Sequence, residues 1–259
     1  RAYAGDPDDQ PERWFSEGGP VGIIKDPIDR GIFPVYEDAV AELDPEVLID
    51  GAEFNAKVKF SNKDPDAKEE LESMKARGYV IKFTSAKKLR KFLKSKPVVS
   101  DLIVLEKVKR YKDAEGNTKT KVKKRLILNL KSSGVSGASK KHERVLLPRT
   151  LDAVFEIMEA KRANPECGDI ELVVLDFADA FFQFPVNGDE LKYMVTTAGG
   201  AFYVFNRAAQ GSRGAPLLCG RSLALVMRLA SSLASGSCSR QALYVDDPIF
   251  ILAGDRPRR

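Results

Sequence analysis

Two adjacent carboxylates interrupt an apolar run near the end of the chain. Asp246 and Asp247 follow residues 242–245 and precede the apolar residues 248–252. Two charged groups in the middle of a sheet are costly unless a cation or a tight turn satisfies them. A strand–turn–strand hairpin would hold both at its tip, close enough to share a metal ion. Since aspartate is common in turns, a plain turn is the simpler explanation of this pair taken alone.

A second apolar run also ends in an acid. Residues 172–175 predict a buried strand, and Asp176 lies at its carboxyl end, where α/β proteins place their chemistry. If this strand pairs with the hairpin, Asp176, Asp246 and Asp247 converge. Oxygen ligands of this kind suit Mg²⁺ or Mn²⁺ and not zinc. Two such ions roughly 3.5–4 Å apart support in-line phosphoryl transfer, so the pattern indicates that chemistry.

Three segments resemble the palm motifs of reverse transcriptases from retroviruses and retrotransposons. They are residues 174–186, 206–216 and 244–247, and they occur in the order and at about the spacing of that family. The first resembles the strand that bears the first catalytic aspartate. The second resembles the Gln-Gly-x-x-x-Ser/Ala-Pro loop, and the third the Tyr-x-Asp-Asp hairpin. The similarity extends over residues 102–254.

This resemblance implies a role for individual residues. Asp176 and Asp246 would be the principal ligands of two Mg²⁺ or Mn²⁺ ions, assisted by Asp247 and by the carbonyl oxygen of Phe177. One ion would activate a primer 3′-hydroxyl, and the other would neutralise the triphosphate. Phe181 would be the aromatic gate that excludes a ribose 2′-hydroxyl. Plain core packing also explains a phenylalanine in this Phe-rich stretch.

The second motif contributes two further residues. Gln210 would lie over the incoming nucleotide, and Gly211 would let the backbone approach it closely. Asp179, which follows the first catalytic position, is expected to be structural or a hydrogen-bond partner, and not a metal ligand.

Upstream, the pattern predicts a β-hairpin. Its strands are residues 102–110 and 119–131, joined by a polar turn around Gly116-Asn117. Nine lysines or arginines between residues 107 and 125 suit a solvated charged hairpin. The resemblance implies instead the fingers hairpin that grips the triphosphate. Arg125 best matches the triphosphate-contacting arginine, and Lys119 and Lys121 are further candidates.

The remaining elements would position these residues. Helices are predicted at residues 147–158, with Thr150 as the N-cap, and at 217–234. A strand pair is predicted at 192–196 and 202–205. The resemblance implies an α/β (α+β) fingers–palm fold with a mostly antiparallel palm sheet backed by helices, and without a thumb. The expected division is an acidic, loosely ordered extension at 1–66, a basic fingers region at 67–170 and the palm at 171–259.

Charge is distributed unevenly over the 259 residues. The net charge is +5, yet residues 1–66 hold 16 acids and 7 bases. Residues 75–96 hold nine bases and no acid, which suits contact with phosphates as well as the solvated side of a helix at 86–93. The acidic first part is interpreted as a loosely structured lead-in or as an extension packed on the fingers.

Several absences restrict the function. A single histidine, His142, makes a histidine-based triad or a zinc site unexpected, and the three cysteines lack metal-ligand spacing. Their odd number suits a reducing intracellular compartment. No signal peptide or membrane span is predicted. The chain begins with Arg1 and ends soon after Asp247, which suggests a fragment of a longer reading frame.

The resemblance predicts RNA-directed DNA polymerisation. The expected partners are an RNA or DNA template with its primer, dNTPs, and the rest of a pol polyprotein (a thumb, with RNase H or integrase in many relatives). The alternative is a catalytically inactive remnant that binds nucleic acid, and Pro248, where relatives carry a residue with an N–H, is the reason to weigh it. An RNA-dependent RNA polymerase is disfavoured by Phe181.

Overall fold

The computed structural model describes residues 8–26, 31, 41–50, 65–113, 115–140, 143–166, 168–233 and 239–254, without the side chains of Lys109, Lys121 and Lys123. Within these ranges the fold mixes helices with two sheets, which confirms the predicted mixture of α and β structure. The helices are α1 (Gln10–Glu17), α2 (Pro45–Asp50), α3 (Pro65–Ala76), α4 (Ala86–Leu93), α5 (Val135–Ala138), α6 (Thr150–Ala163) and α7 (Ala215–Leu233). The strands are β1 (Val80–Phe83), β2 (Val99–Lys112), β3 (Thr118–Asn129), β4 (Ile170–Val174), β5 (Val195–Ala198), β6 (Ala201–Phe205), β7 (Ser239–Tyr244) and β8 (Asp247–Ala253). Two 3-10 helices cover Ala180–Gln183 and Gly188–Tyr193.

The larger sheet contains the predicted basic hairpin. Its strand order is β1-β6-β5-β2-β3, and β2 and β5 form its parallel pair. The hairpin of β2 and β3 is confirmed, because the two strands pair antiparallel from Asp101, opposite Asn129, up to the turn. In that turn the Asp113 Oδ1 accepts the Asn117 N–H at 2.9 Å. The predicted pair of β5 and β6 is also confirmed.

Helices cover both faces of this sheet. Leu71 and Met74 of α3 lie in the main core with Tyr203 of β6. The next residue along, Val204, belongs to a separate cluster with Leu89 of α4. Because neighbouring residues of a strand point to opposite faces, α3 and α4 must lie on opposite sides of the sheet. Helix α4 confirms the helix predicted at 86–93. Its lysines are exposed, whereas Leu89 is buried.

The smaller sheet carries the predicted carboxylates. Its strand order is β4-β8-β7, and all of its pairs are antiparallel. The pairing of β4 continues past its end, since Leu175 N–H donates to the Pro248 carbonyl at 2.9 Å and Phe177 N–H to the Asp246 carbonyl at 3.0 Å. The two acidic segments that the sequence analysis paired are therefore neighbours in one sheet.

The prediction that β4 is buried is wrong. The side chain of Leu172 is 54% exposed and that of Val174 is 61% exposed. Within the described residues, β4 is an edge strand that pairs with β8 alone. An apolar run predicts a strand, but it does not predict which faces of the sheet other elements cover.

Helix α6 begins one residue later than its predicted cap. Arg149 occupies the N-cap position, and Thr150 is the first helical residue. The Arg149 N–H donates to the Asp152 carboxylate at 2.7 Å, and the guanidinium of Arg149 contacts the same carboxylate. This contact lowers the pKa of Asp152, chiefly through the side-chain hydrogen bond. An acid in the first turn therefore does the capping that the sequence analysis assigned to the threonine.

Helix α7 packs its apolar face into the core. Leu218 and Leu223 are buried, and the helix contacts α1 and β7. By length and composition alone this helix could cross a membrane, which the sequence analysis did not anticipate.

An arginine of α7 ties the start of the described chain to the core. Arg221 is 3% exposed and forms a two-pronged ion pair with Asp8, at 2.5 and 3.1 Å. A third nitrogen donates to Glu143 at 2.9 Å, and the guanidinium lies 4.8 Å from the centroid of the Trp14 ring. These contacts fix α1 against α7, so this part of the acidic segment is ordered and packed.

A buried glutamate holds the chain that follows α1. Glu190 is fully buried, and its carboxylate accepts the N–H groups of Val21, Ile23, Ile24 and Lys25 at 2.7 to 3.2 Å. Burial raises the pKa of this carboxyl above its ordinary value, while the four backbone donors act in the opposite direction.

The domain boundary near residue 66 stays a prediction.

The raised pKa of Glu190 predicts a pH dependence of stability. Since the folded-state pKa lies above the unfolded value of 4.5, the native state binds the proton more tightly. The contribution of Glu190 to the free energy of unfolding should be greatest below pH 4.5 and decline as the pH rises through the folded pKa. Urea unfolding of the wild type and of Glu190→Gln between pH 4 and 8 measures it. We expect the free energy of unfolding of the wild type to fall relative to that of Glu190→Gln as the pH rises, and a wild type that gains stability relative to the variant would contradict the prediction.

Candidate active site

The tip of the smaller sheet is a two-residue turn. Tyr244 and Asp247 form the last pair of the β7–β8 hairpin, so Val245 and Asp246 make the turn. Val245 has φ of 59°, which is an outlier for a β-branched residue. Such strain persists where the surrounding structure imposes it, and it clusters at functional sites. In this turn the strained backbone places Asp246 at the tip of the β7–β8 hairpin.

A cleft of about 310 Å³ lies between this tip, β3 and α3. Its lining combines chain segments that are distant in the sequence. It includes six of the residues predicted from the sequence, which are Arg125, Asp176, Phe177, Phe181, Gln210 and Asp246. The predicted residues Asp247, Gly211 and Lys119 do not line it.

Two carboxylates in the cleft have no protein partner in the described part of the chain. Asp176 is exposed and Asp246 is half-buried, and neither side chain makes a hydrogen bond or ion pair with a described residue. They lie on neighbouring chain segments, since the Phe177 N–H donates to the Asp246 carbonyl. Among the described residues, no three histidine, cysteine or acidic side chains group closely enough to hold a metal ion by themselves. The described residues thus supply two carboxylates without a partner here, since Glu70 and Asp179, which also line the cleft, pair with Arg77.

Cys219 of α7 lies beneath the hairpin. The thiol is buried, and burial raises its pKa to about 12, with the negative charge of Asp246 adding to the shift. At neutral pH the thiol is therefore protonated and is a poor nucleophile.

Phe181 lies at the border between the main core and the cleft. It belongs to the 3-10 helix Ala180–Gln183, packs in part against the main core and also lines the cleft. Asp179, just before this helix, accepts hydrogen bonds from Arg77 at 2.8 Å and from the Tyr79 hydroxyl at 3.3 Å. Its expected role as a hydrogen-bond partner is confirmed.

The loop that bears Gln210 is anchored to β3. The Leu128 N–H donates to the Gln210 carbonyl at 2.9 Å. Gly211 has φ of 107°, and a Cβ there would lie 2.2 Å from the Leu128 carbonyl oxygen. Only glycine permits this approach, so Gly211 acts through the backbone and brings Gln210 to the same cleft as Arg125.

The structure separates the predicted triphosphate residues. Lys119 pairs with Asp113 at 3.0 Å near the hairpin turn, and six residues of extended strand place it about 20 Å from Arg125. The side chain of Lys121 lies outside the described atoms. Two bases that the sequence analysis did not single out, Arg77 and Lys124, do line the cleft. Nothing in the sequence separates them from the other lysines and arginines nearby.

The bases of the cleft differ in their partners. Lys124 pairs with Asp66 at 2.8 Å, and this carboxylate raises the pKa of the lysine. Arg77 contacts Glu70 as well as Asp179. In the described ranges Arg125 makes no ion pair, so its guanidinium is available to a ligand.

Comparison with known proteins gives a distant structural likeness. No family model matches the sequence, and no curated protein matches it. Among solved structures, the fold is similar to that of the foamy viral protease-reverse transcriptase dRH in complex with ds DNA, at 17% identity and a TM-score of 0.38. The match covers 73% of this chain and 26% of that chain, so this chain spans about a quarter of the viral protein's length.

Proposed function

We propose that this chain is an RNA-directed DNA polymerase, which transfers deoxynucleotides to a primer 3′-hydroxyl on an RNA template. The observation that carries the proposal is the composition of the cleft. It combines two unpartnered carboxylates, an aromatic side chain, an amide and an available arginine. These side chains come from the segments whose sequences resemble the reverse-transcriptase motifs and from the basic hairpin.

The pair of carboxylates fits magnesium. Mg²⁺ is commonly bound through one or two carboxylates together with substrate phosphates, and not in an all-protein cage. Asp176 and Asp246 would hold the ions, with Asp247 and the Phe177 carbonyl oxygen assisting. The bound ions would lower the pKa of the primer hydroxyl and neutralise the phosphates.

The protein's own contributions are charge and shape. Arg125 would bind triphosphate oxygens, because a guanidinium forms paired hydrogen bonds with phosphate. Gln210 would contact the nucleotide from the loop fixed by Gly211. Lys119 would contact the template from further along the hairpin.

A smaller side chain at position 181 should relax sugar selection. Phe181→Val is expected to raise ribonucleotide incorporation relative to deoxynucleotide incorporation by about 10- to 100-fold, because the ring would no longer exclude the 2′-hydroxyl. Single-nucleotide extension with a dNTP and the matching rNTP measures the ratio. Phe155→Val, on the exposed face of α6, is the matched control. Unchanged selectivity in Phe181→Val would disprove the gate assignment.

Pro248 favours a second candidate, a nucleic-acid-binding protein without catalysis. The Leu175 N–H donates to the Pro248 carbonyl, but proline has no N–H to return to Leu175. The strand pair beside Asp176 therefore has one hydrogen bond fewer than a regular ladder.

Primer extension distinguishes the two candidates. The full chain is incubated with a labelled DNA primer on an RNA template, dNTPs, and Mg²⁺ or Mn²⁺, and binding to the same hybrid is measured by fluorescence anisotropy. Metal-dependent extension is the expected result. Binding without extension under either metal would favour the non-catalytic candidate.

A further inference from the structure

A compact cluster joins the 3-10 helix Ala180–Gln183 to the chain between α3 and β1. Asp179 accepts hydrogen bonds from Arg77 and from the Tyr79 hydroxyl on one carboxylate oxygen. Arg77 also donates to Glu70 at 2.9 Å, and its guanidinium lies 5.1 Å from the centroid of the Tyr79 ring. The arginine is thus held by two carboxylates and an aromatic face.

The same cluster also contacts Phe182, the residue that follows Phe181. The Tyr79 ring stacks on the Phe182 ring, with the centroids 5.0 Å apart and the planes 13° apart. Within the turn, the Phe182 N–H donates to the Asp179 carbonyl at 2.8 Å. Phe181 therefore lies between two residues, Asp179 and Phe182, that are each fixed to Tyr79.

The turn needs this external support. Asp179 has φ of 52°, a left-handed conformation that few residues other than glycine adopt. The 3-10 helix that follows has four residues, and such short helices have poor hydrogen-bond geometry. Contacts from outside must therefore hold the backbone that sets the direction of the Phe181 ring.

We propose that Arg77, Tyr79 and Asp179 are positioning residues that hold the Phe181 ring in the cleft and so set the preference for deoxynucleotides over ribonucleotides. The inference rests on the proposed function. A side chain that excludes a single hydroxyl group works only if it cannot move aside. Loss of the contacts among Arg77, Tyr79 and Asp179 would let the Phe181 ring move and admit the ribose hydroxyl, without removing any residue that contacts the metal ions.

The test compares kcat/KM for a dNTP and for the matching rNTP in single-nucleotide extension by the full chain. Tyr79→Leu removes both the ring stacking and the hydroxyl, and it should lower the dNTP/rNTP ratio by about 10-fold, mainly by raising kcat/KM for the rNTP. Tyr79→Phe keeps the stacking and should stay close to the wild type. Asp179→Asn keeps the volume and tolerates the left-handed backbone, so a fall of several-fold is expected.

The control is Arg162→Ala, which removes an exposed arginine of α6 that pairs with Glu159 at 2.9 Å. Its ratio should equal that of the wild type. Equal losses for both nucleotides in Tyr79→Leu and Asp179→Asn would overturn the inference, because a merely structural role predicts that result. If Tyr79→Leu does not fold, the dNTP/rNTP ratio of Asp179→Asn decides the outcome. A wild type that extends with neither nucleotide would overturn the proposed function and this inference with it, whereas an active wild type with unchanged variant ratios would overturn this inference alone.

Discussion

Replacing Asp246 with asparagine should abolish primer extension, with a fall in rate of about 10³-fold or more. Asparagine has the size of aspartate, so the hairpin should keep its shape. Its neutral amide cannot offset the charge of a divalent ion, and the cleft would retain only the Asp176 carboxylate from this pair. Extension of a labelled primer on an RNA template, with Mg²⁺ and dNTPs, measures the effect.

The control for this variant is Glu159→Gln, an equally conservative change at an exposed site on α6. It should extend primers at the wild-type rate. Since Asp247 does not line the cleft, Asp247→Asn should lower the rate of primer extension less than Asp246→Asn does. An Asp246→Asn variant that keeps a substantial part of the wild-type rate would exclude Asp246 as a metal ligand.

Arg221→Met should lower the free energy of unfolding by about 3–5 kcal/mol, because it leaves the buried carboxylates of Asp8 and Glu143 without their cation. Methionine keeps much of the volume of the arginine. Urea unfolding followed by the fluorescence of Trp14, the single tryptophan, measures the loss at the site itself.

Two further variants isolate the cause of this loss. Arg162→Met removes an exposed arginine and should change the free energy of unfolding by less than about 0.5 kcal/mol. The triple variant Asp8→Asn, Glu143→Gln, Arg221→Met also removes the two carboxylate charges that Arg221 contacts, and it should recover part of the lost free energy of unfolding. A loss below about 1 kcal/mol in Arg221→Met would show that the buried ion pairs matter little.

Local patterns were predictable where their signals lie close together in the sequence. The β2–β3 hairpin, helix α4 and the β7–β8 hairpin follow from alternation, helical spacing and turn residues within short segments. The contacts of Glu190 with the chain near Val21 span more than 160 residues, and no local signal predicts them. The sequence therefore left open whether the first part is a loosely structured lead-in or a packed extension, and the structure buries Trp14, Val21 and Ile23 in the main core.

The candidate site was predictable in its motifs and not in its electrostatics. Asp176, Phe181, Gln210 and Asp246 stand in recognisable segments, and all line the cleft. Which bases are available depends on tertiary contacts. Arg77 and Arg125 are alike in the sequence, but Arg77 is held by two carboxylates and Arg125 by none among the described residues.

The ion pair between Asp8 and Arg221 joins residues 213 positions apart, and this separation affects the order of folding. After Asp8, a ribosome must synthesise the 213 residues up to Arg221 before this ion pair can form. Closing so long a loop carries a large entropic cost before any contact compensates for it, which slows folding. Until then Trp14 lacks the guanidinium that lies over its ring in the native state.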